Sequence, residues 1–165
     1  MKMFSVDRLV LFIALSFISI MSSFAQGSQE SLYLRGLEAY LVETERAYSK
    51  LISDRDFQKV VVLKNDYIAV DVPEKIGRYE IKVVSEKELL ARLTGSRKGS
   101  NEIIVADLRA MKNEHDLIVI SVGEYVARLQ EGRLVLSLSG GVRTSFSYDC
   151  TDRKFVVSET KLFGV

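Results

Sequence analysis

Apolar and polar positions change their spacing along the chain, and the first pattern is helical. Between residues 31 and 53 apolar residues recur at helical spacing, and Ser31 is a suitable N-cap. The apolar face of this predicted helix holds Leu34, Leu37, Leu41, Tyr48, Leu51 and Ile52. A helix with one apolar face needs a second layer, so we expect it to lie on a sheet.

The next pattern is typical of strands. Residues 57–63 and 67–72 are rich in β-branched side chains and flank a turn at 64–66, which predicts a hairpin. Apolar and charged residues then alternate over 79–83. Ser85 and Glu88 have the spacing of a capping box and predict a short helix over 85–93. The glycine- and serine-rich stretch that follows predicts a loop.

The C-terminal part of the chain predicts a meander of five antiparallel strands joined by short turns. The predicted strands are 102–112, 117–129, 133–138, 142–150 and 154–162. Matching of apolar faces across the third turn favours a three-residue loop, Ser139–Gly141, which sets Leu134, Leu136 and Leu138 against Phe146, Thr144 and Val142. Gly123 predicts a bulge in the second strand.

These elements together predict an α+β fold. A long N-terminal helix packs on a curved, mostly antiparallel sheet that includes the five-stranded C-terminal meander, with one short extra helix. The chain has 165 residues, 47% hydrophobic and 27% charged, which suits one globular domain over 31–165.

Residues 1–25 are predicted to be a cleaved signal peptide. Lys2 and Arg8 precede an uncharged apolar run, and Ser23 and Ala25 place small residues at a cleavage site before Gln26. The alternative is an uncleaved anchor, although the run is shorter than a membrane span. We expect export to the periplasm or secretion, with residues 26–30 as a polar leader and no stable membrane span in the mature chain.

The charge balance argues against a nucleic-acid partner. The chain carries 23 basic and 22 acidic residues, a net charge of +1, and removal of residues 1–25 brings the net charge to zero. A polyanion binder needs a basic surface, which this composition does not predict. We therefore expect a protein or small-molecule partner, and a homodimer is possible.

Cys150 and His115 are the only thiol and the only imidazole of the chain. A nucleophilic cysteine needs a base within hydrogen-bond distance. The predicted meander puts His115 and Cys150 at opposite ends of the sheet, which disfavours such a pair. We expect Cys150 to be buried beside Phe146 and Tyr148; a redox-sensitive or intermolecular thiol is the alternative.

No metal site and no cofactor are expected. Zinc sites use several Cys or His ligands, which this chain lacks. The meander places Asp149, Asp152 and Glu131 at one end, where a calcium site is conceivable, but basic residues crowd the same rim. The loop at 95–100 lacks the glycine–lysine–serine/threonine ending of a phosphate-binding loop.

One polar residue on an apolar strand face provides the candidate site. Asp107 shares a predicted face with Val105 and Met111, and the candidate ligand-binding residues are Asp107, Tyr125 and Met111. No catalytic constellation is evident, so an exported non-catalytic domain that binds a small ligand or a protein through a concave sheet face is favoured. The alternative is a small hydrolase or isomerase with its site around Asp107. Residues 117–122 are apolar on both faces, so each face needs a cover: the helix on one, the 57–84 strands or a second chain on the other.

Overall fold

The computed structural model describes residues 31–49, 58–68, 70–95 and 102–164. Within these residues the fold is mixed: two helices and an eight-stranded, largely antiparallel sheet. The predicted signal peptide, the leader, the end of the first helix at 50–53 and the loop at 96–100 lie outside the described residues. The elements are α1 (31–48), β1 (Lys59–Leu63), β2 (Lys75–Ile76), β3 (Tyr79–Val84), α2 (Glu86–Gly95), β4 (Glu102–Leu108), β5 (Lys112–Glu114), β6 (Leu117–Gln130), β7 (Arg133–Asp149) and β8 (Lys154–Phe163).

The strand order is β2-β3-β1-β4-β6-β7-β8. β1 lies parallel to both of its neighbours, β3 and β4, and every other pairing is antiparallel. β5 pairs with the first residues of β6, ahead of the part of β6 that pairs with β4. The sheet is therefore mixed on the side of β1 and antiparallel on the side of β8.

The predicted hairpin of 57–63 with 67–72 is wrong, although its turn forms. Asn65 accepts hydrogen bonds there from the N–H groups of Tyr67, through its side chain, and of Ile68, through its carbonyl. Both edges of β1 are taken by parallel strands, so no edge is left for a returning strand. Ile68, Val70 and Val72 still pack against the core, but from an irregular segment.

The predicted turn at Ser139–Gly141 is also wrong. Residues 133–149 form one continuous strand, β7, which pairs with β6 from Arg133 to Phe146. Leu134 and Leu136 therefore lie opposite Leu129 and Ala127 of β6, not opposite Phe146 and Thr144. The register shifts between Glu124 and Tyr125, where Ser139 is the extra residue. The pairing is thus irregular next to Gly123, but the extra residue lies in β7 and not in β6, where it was predicted.

Other predicted elements agree with the structure or are shortened. The capping box is confirmed: the N–H of Glu88 donates to Oγ of Ser85, and the N–H of Ser85 donates to Glu88. The predicted strand 102–112 ends at Leu108, and 112–114 form the separate strand β5. The β5–β6 and β6–β7 turns are tight, with positive φ at His115, Asp116, Glu131 and Gly132.

The two faces of the sheet are packed differently. α1 covers one face with Leu37, Tyr40 and Leu41, which pack with Ile120 and Phe146. The opposite face carries a smaller cluster in which Leu89 and Leu93 of α2 pack with strand residues. The strands of 58–84 lie in the same sheet as the C-terminal strands, so the prediction that they cover its second face is wrong; α2 packs there.

Among the described residues, neither α1 nor α2 is both long enough and apolar enough to cross a bilayer.

Candidate functional site

Asp107 lies in β4, between Leu63 of β1 and Gly123 of β6, on the sheet face that α2 covers. The side chain is partly buried, and this burial raises the pKa of its carboxyl group; nearby Arg109 and a hydrogen bond with Asn65 oppose the shift. The alternating pattern of β4 explains the position, because Val105, two residues earlier, is buried in the same face. Asp107 is thus a carboxylate at the border of an apolar cluster.

Arg109 and Tyr125 form a pair beside Asp107. Nη2 of Arg109 donates a hydrogen bond to the hydroxyl of Tyr125 at 2.7 Å, and its guanidinium lies 5.9 Å from the centre of that ring. Gly123 makes room for the pair: a Cβ there would lie 2.9 Å from the ring of Tyr125 and 3.3 Å from Nε and Nη2 of Arg109. Because Gly123 has no side chain, the guanidinium of Arg109 can lie close to the backbone of β6.

An open cleft of about 700 Å³ connects Asp107 and Tyr125. Apolar surface comes from Leu63, Leu136 and the ring of Tyr125, and the rim is polar. The remaining lining residues are Lys64, Asn65, Asp66, Tyr67, Ser85, Glu86 and Lys87. The cleft thus combines an apolar patch with a polar, charged rim, and small-molecule sites use both kinds of contact. We call this space the Asp107 cleft.

Met111, the third predicted site residue, does not belong to the cleft. It packs against the core on the α1 face, and its N–H donates to the hydroxyl of Tyr33 in α1. The reason is that β4 ends at Leu108, so the alternation that predicts a common face for Asp107 and Met111 does not continue to residue 111. Of the three predicted site residues, the structure brings only Asp107 and Tyr125 together.

A second polar group, Glu124, was missed by sequence reasoning. It is 8% exposed, lies between α1 and the sheet, and accepts a hydrogen bond from the hydroxyl of Tyr40 at 3.2 Å. The hydroxyl of Ser139 lies 3.0 Å from the other carboxylate oxygen. A signal was present: Glu124 is the only charged residue between Leu117 and Ala127. An isolated charge in an apolar strand indicates a buried polar interaction.

His115 and Cys150 lie at the same end of the sheet, not at opposite ends. Because β7 is one strand, the β5–β6 turn with His115 and the β7–β8 turn with Cys150 are on one side. Both residues are exposed, so the predicted burial of Cys150 is also wrong. In the register of the strands the two turns are separated by two strand spacings, roughly 10 Å, which exceeds hydrogen-bond distance.

The conceivable calcium rim is not assembled. Glu131 lies in the β6–β7 turn, at the opposite end of the sheet from Asp149 and Asp152. Asp149 instead accepts hydrogen bonds from the N–H groups of Thr151 and Asp152. Across the part of the chain that the structure describes, no three His, Cys, Asp or Glu side chains are grouped to hold a metal ion.

Known proteins give no guide to the role of the cleft, because the chain matches no family model, no curated protein and no solved structure. Its chemistry must therefore be read from its own residues. The carboxylate of Asp107 can accept hydrogen bonds, and Asn65 and the lysines of the rim can donate them. Leu63, Leu136 and Tyr125 can contact an apolar group.

Proposed function

We propose that this protein is an exported, non-catalytic domain that binds a small amphiphilic organic molecule in the Asp107 cleft. The observation that carries the proposal is a partly buried carboxylate at the edge of an apolar patch formed by Leu63, Leu136 and Tyr125. Burial of a carboxylate costs free energy unless a partner satisfies it. A ligand that donates a hydrogen bond to Asp107 would offset part of that cost.

The residues of the cleft suggest the chemical class of the ligand. A hydroxyl or amino group would face Asp107, and an apolar body would contact Leu63 and Leu136. A carboxylate in the same position would be repelled by Asp107, so we expect neutral or cationic donors to be preferred. We also propose that the sheet face around the cleft is concave. The continuation of α1 to about residue 53 is likewise part of the proposal.

Binding is favoured over catalysis because the other two carboxylates of the cleft, Asp66 and Glu86, are exposed and are not held by packing. Asp66 is paired with Lys64 at 3.9 Å and is exposed, and Glu86 is exposed in the first turn of α2. Acid–base catalysis by paired carboxylates uses two groups whose environments push their pKa values apart and whose positions converge on one bond. Asp107 supplies one such group.

A small hydrolase or isomerase is the second candidate. Three carboxylates line one cleft, and burial raises the pKa of the Asp107 carboxyl group, which favours the protonated form that a general acid uses. Turnover of a chromogenic ester or glycoside, lost in Asp107→Asn, would support the enzyme. The binding proposal predicts no turnover.

Calorimetric titration with a panel of matched ligands tests the proposal. Each ligand carries one apolar body and differs only in its polar group: hydroxyl, amine or carboxylate. We expect the amine and the alcohol to bind, and Asp107→Asn to weaken the amine by about tenfold. The variant should fold, because burial disfavours the charged form that it removes.

Asp116→Asn is the matched control, since Asp116 is an exposed turn residue away from the cleft. It should bind all ligands as the unchanged protein does. Equal affinity of the carboxylate and the amine, or an equal loss in both variants, would contradict the proposed site.

The export part of the proposal rests on residues 1–25. Intact mass of the protein recovered from the producing cell's periplasm or medium tests it. We expect a chain that begins at Gln26; a membrane-bound product that keeps residues 1–25 would instead support the anchor.

A further inference from the structure

A groove runs between α1 and β8, on the sheet face opposite to the one that carries the Asp107 cleft. Two adjoining cavities of about 640 Å³ and 250 Å³ form it, and both are lined by Arg35 and Val157. The side chain of Val157 is 46% exposed there, and that of Tyr148 is 51% exposed. The groove therefore presents apolar surface that this part of the chain leaves open.

The groove lies along the outermost strand of the sheet. β8 is last in the strand order and pairs, in the described residues, with β7 alone. An outer strand presents a row of backbone N–H and C=O groups that another strand can pair with. One backbone carbonyl of β8 is already reached from the helix, because Nη1 of Arg35 donates to O of Phe155 at 2.7 Å.

The two ends of the groove differ in charge. Arg35, Arg153 and Lys154 line the end near the start of β8, where Asp152 is paired with Lys154 at 2.8 Å. The other end is lined by Glu38 and Glu43. An anionic group is therefore favoured beside Arg153, and a cationic group beside the two glutamates.

We infer that this groove binds the extended carboxyl-terminal segment of a peptide, which adds to β8 as an antiparallel strand. The direction follows from the charges: the terminal carboxylate lies beside Arg153, where β8 begins, so the peptide runs against β8. From Lys154 to Thr160 the strand spans roughly 20 Å, the length of about six extended residues. Alternate apolar side chains of the peptide would contact Val157 and Phe155.

An array of synthetic heptapeptides with free carboxyl termini tests this inference on the purified protein. The peptides vary the apolar–polar pattern and the charge at each end. We expect the strongest binding for peptides with alternating apolar residues and an acidic carboxyl-terminal end. Affinity should fall about tenfold when the carboxyl terminus is amidated or when alternate backbone nitrogens are methylated. Methylation removes the N–H donors that strand pairing uses.

Variants in the groove separate this site from others. Val157→Thr and Arg153→Gln should each weaken the best peptide by about fivefold or more, whereas Ile104→Thr and Arg133→Gln, exposed positions away from the groove, should not. Asp107→Asn should leave peptide binding unchanged, so failure of the cleft proposal is distinguishable. The inference would be overturned if no peptide bound, or if amidation and methylation had no effect on binding. It would also be overturned if decanoate, a fatty-acid anion used as a competitor, displaced a bound peptide as strongly as the best peptide does.

Discussion

At the scale of single residues, the buried carboxylate of Glu124 connects the helix to the sheet. Its two oxygens face the hydroxyls of Tyr40 in α1 and Ser139 in the β7 bulge. Burial, followed by the negative charge of Glu124, raises the pKa of Tyr40 far above its ordinary value of 10.0. The tyrosine hydroxyl is therefore a stable hydrogen-bond donor to the carboxylate over the physiological pH range.

Tyr40→Phe should destabilise the protein by about 1–3 kcal/mol, because it removes a donor from a buried carboxylate. Chemical denaturation measures the free energy of unfolding. In the unchanged protein this free energy should also fall as pH rises above about 10, since the unfolded chain then releases the Tyr40 proton and the folded chain retains it. Tyr40→Phe should show a smaller fall.

Tyr67→Phe is the control for that measurement, because Tyr67 is 97% exposed. It should change the stability by less than about 0.5 kcal/mol. If Tyr40→Phe were as mild as Tyr67→Phe, the hydrogen bond to Glu124 would not contribute to the stability of the fold.

Cys150 provides a second prediction at this scale. The thiol is exposed in the β7–β8 turn, so a disulfide reagent should label the folded protein at a rate close to that of the unfolded chain. Cys150→Ser should cost less than about 0.5 kcal/mol. Slow labelling that becomes fast only in denaturant would show that Cys150 is buried, against the structure.

At the scale of elements, β7 determines the shape of the antiparallel half of the sheet. Residues 133–146 of this 17-residue strand pair with β6 on one side, and residues 141–149 pair with β8 on the other. Gly141 lies opposite both Gly123 and Phe163. A Cβ at Gly141 would be 2.3 Å from the carbonyl oxygen of Val122, and its φ of +157° is one that other residues rarely adopt. The glycine is needed for close packing of strands, not for a turn.

Gly141→Val should therefore destabilise the fold by at least about 2 kcal/mol. Thermal or chemical denaturation measures this change. Gly95→Val, at the end of α2, is the comparison, because among the described residues no atom outside its own helix backbone and chain neighbours lies within 4 Å of the added Cβ. A loss at Gly141 no larger than at Gly95 would mean that the strands do not approach each other there.

Local sequence patterns predicted the elements better than their pairing. The capping box at Ser85 and the strands β6 and β8 follow from local signals, whose physical causes act within a few residues. The pair Gly140-Gly141 carries the same local signal whether it forms a turn or a close strand crossing, and only the neighbours β6 and β8 distinguish the two. Parallel pairing of β1 likewise depends on distant strands.

At the scale of the whole molecule, these pairings determine which residues share a site. Asp107 and Tyr125 meet because β4 and β6 are neighbours, and alternation within each strand predicts their common face. The departures from prediction have two causes. Met111 follows the end of β4, and Cys150 changes ends once two predicted strands become one. Arg109 also follows the end of β4, so strand alternation could not predict that its side chain lies beside Tyr125.

The same organisation separates two kinds of surface. The Asp107 cleft lies on the α2 face, whereas Glu124 is enclosed on the α1 face. Binding in the cleft should therefore leave the Tyr40–Glu124 contact unchanged. We propose that a ligand binds in the cleft around Asp107 and Tyr125.

NMR mapping of backbone amide shifts during titration with the amine-bearing ligand locates the binding site residue by residue. We expect the largest shifts to cluster at Asn65, Asp107, Tyr125 and Leu136, which line the cleft, and to disappear in Asp107→Asn. Shifts that cluster instead around Tyr40 and Glu124, or that persist unchanged in Asp107→Asn, would show that the ligand does not bind in the cleft.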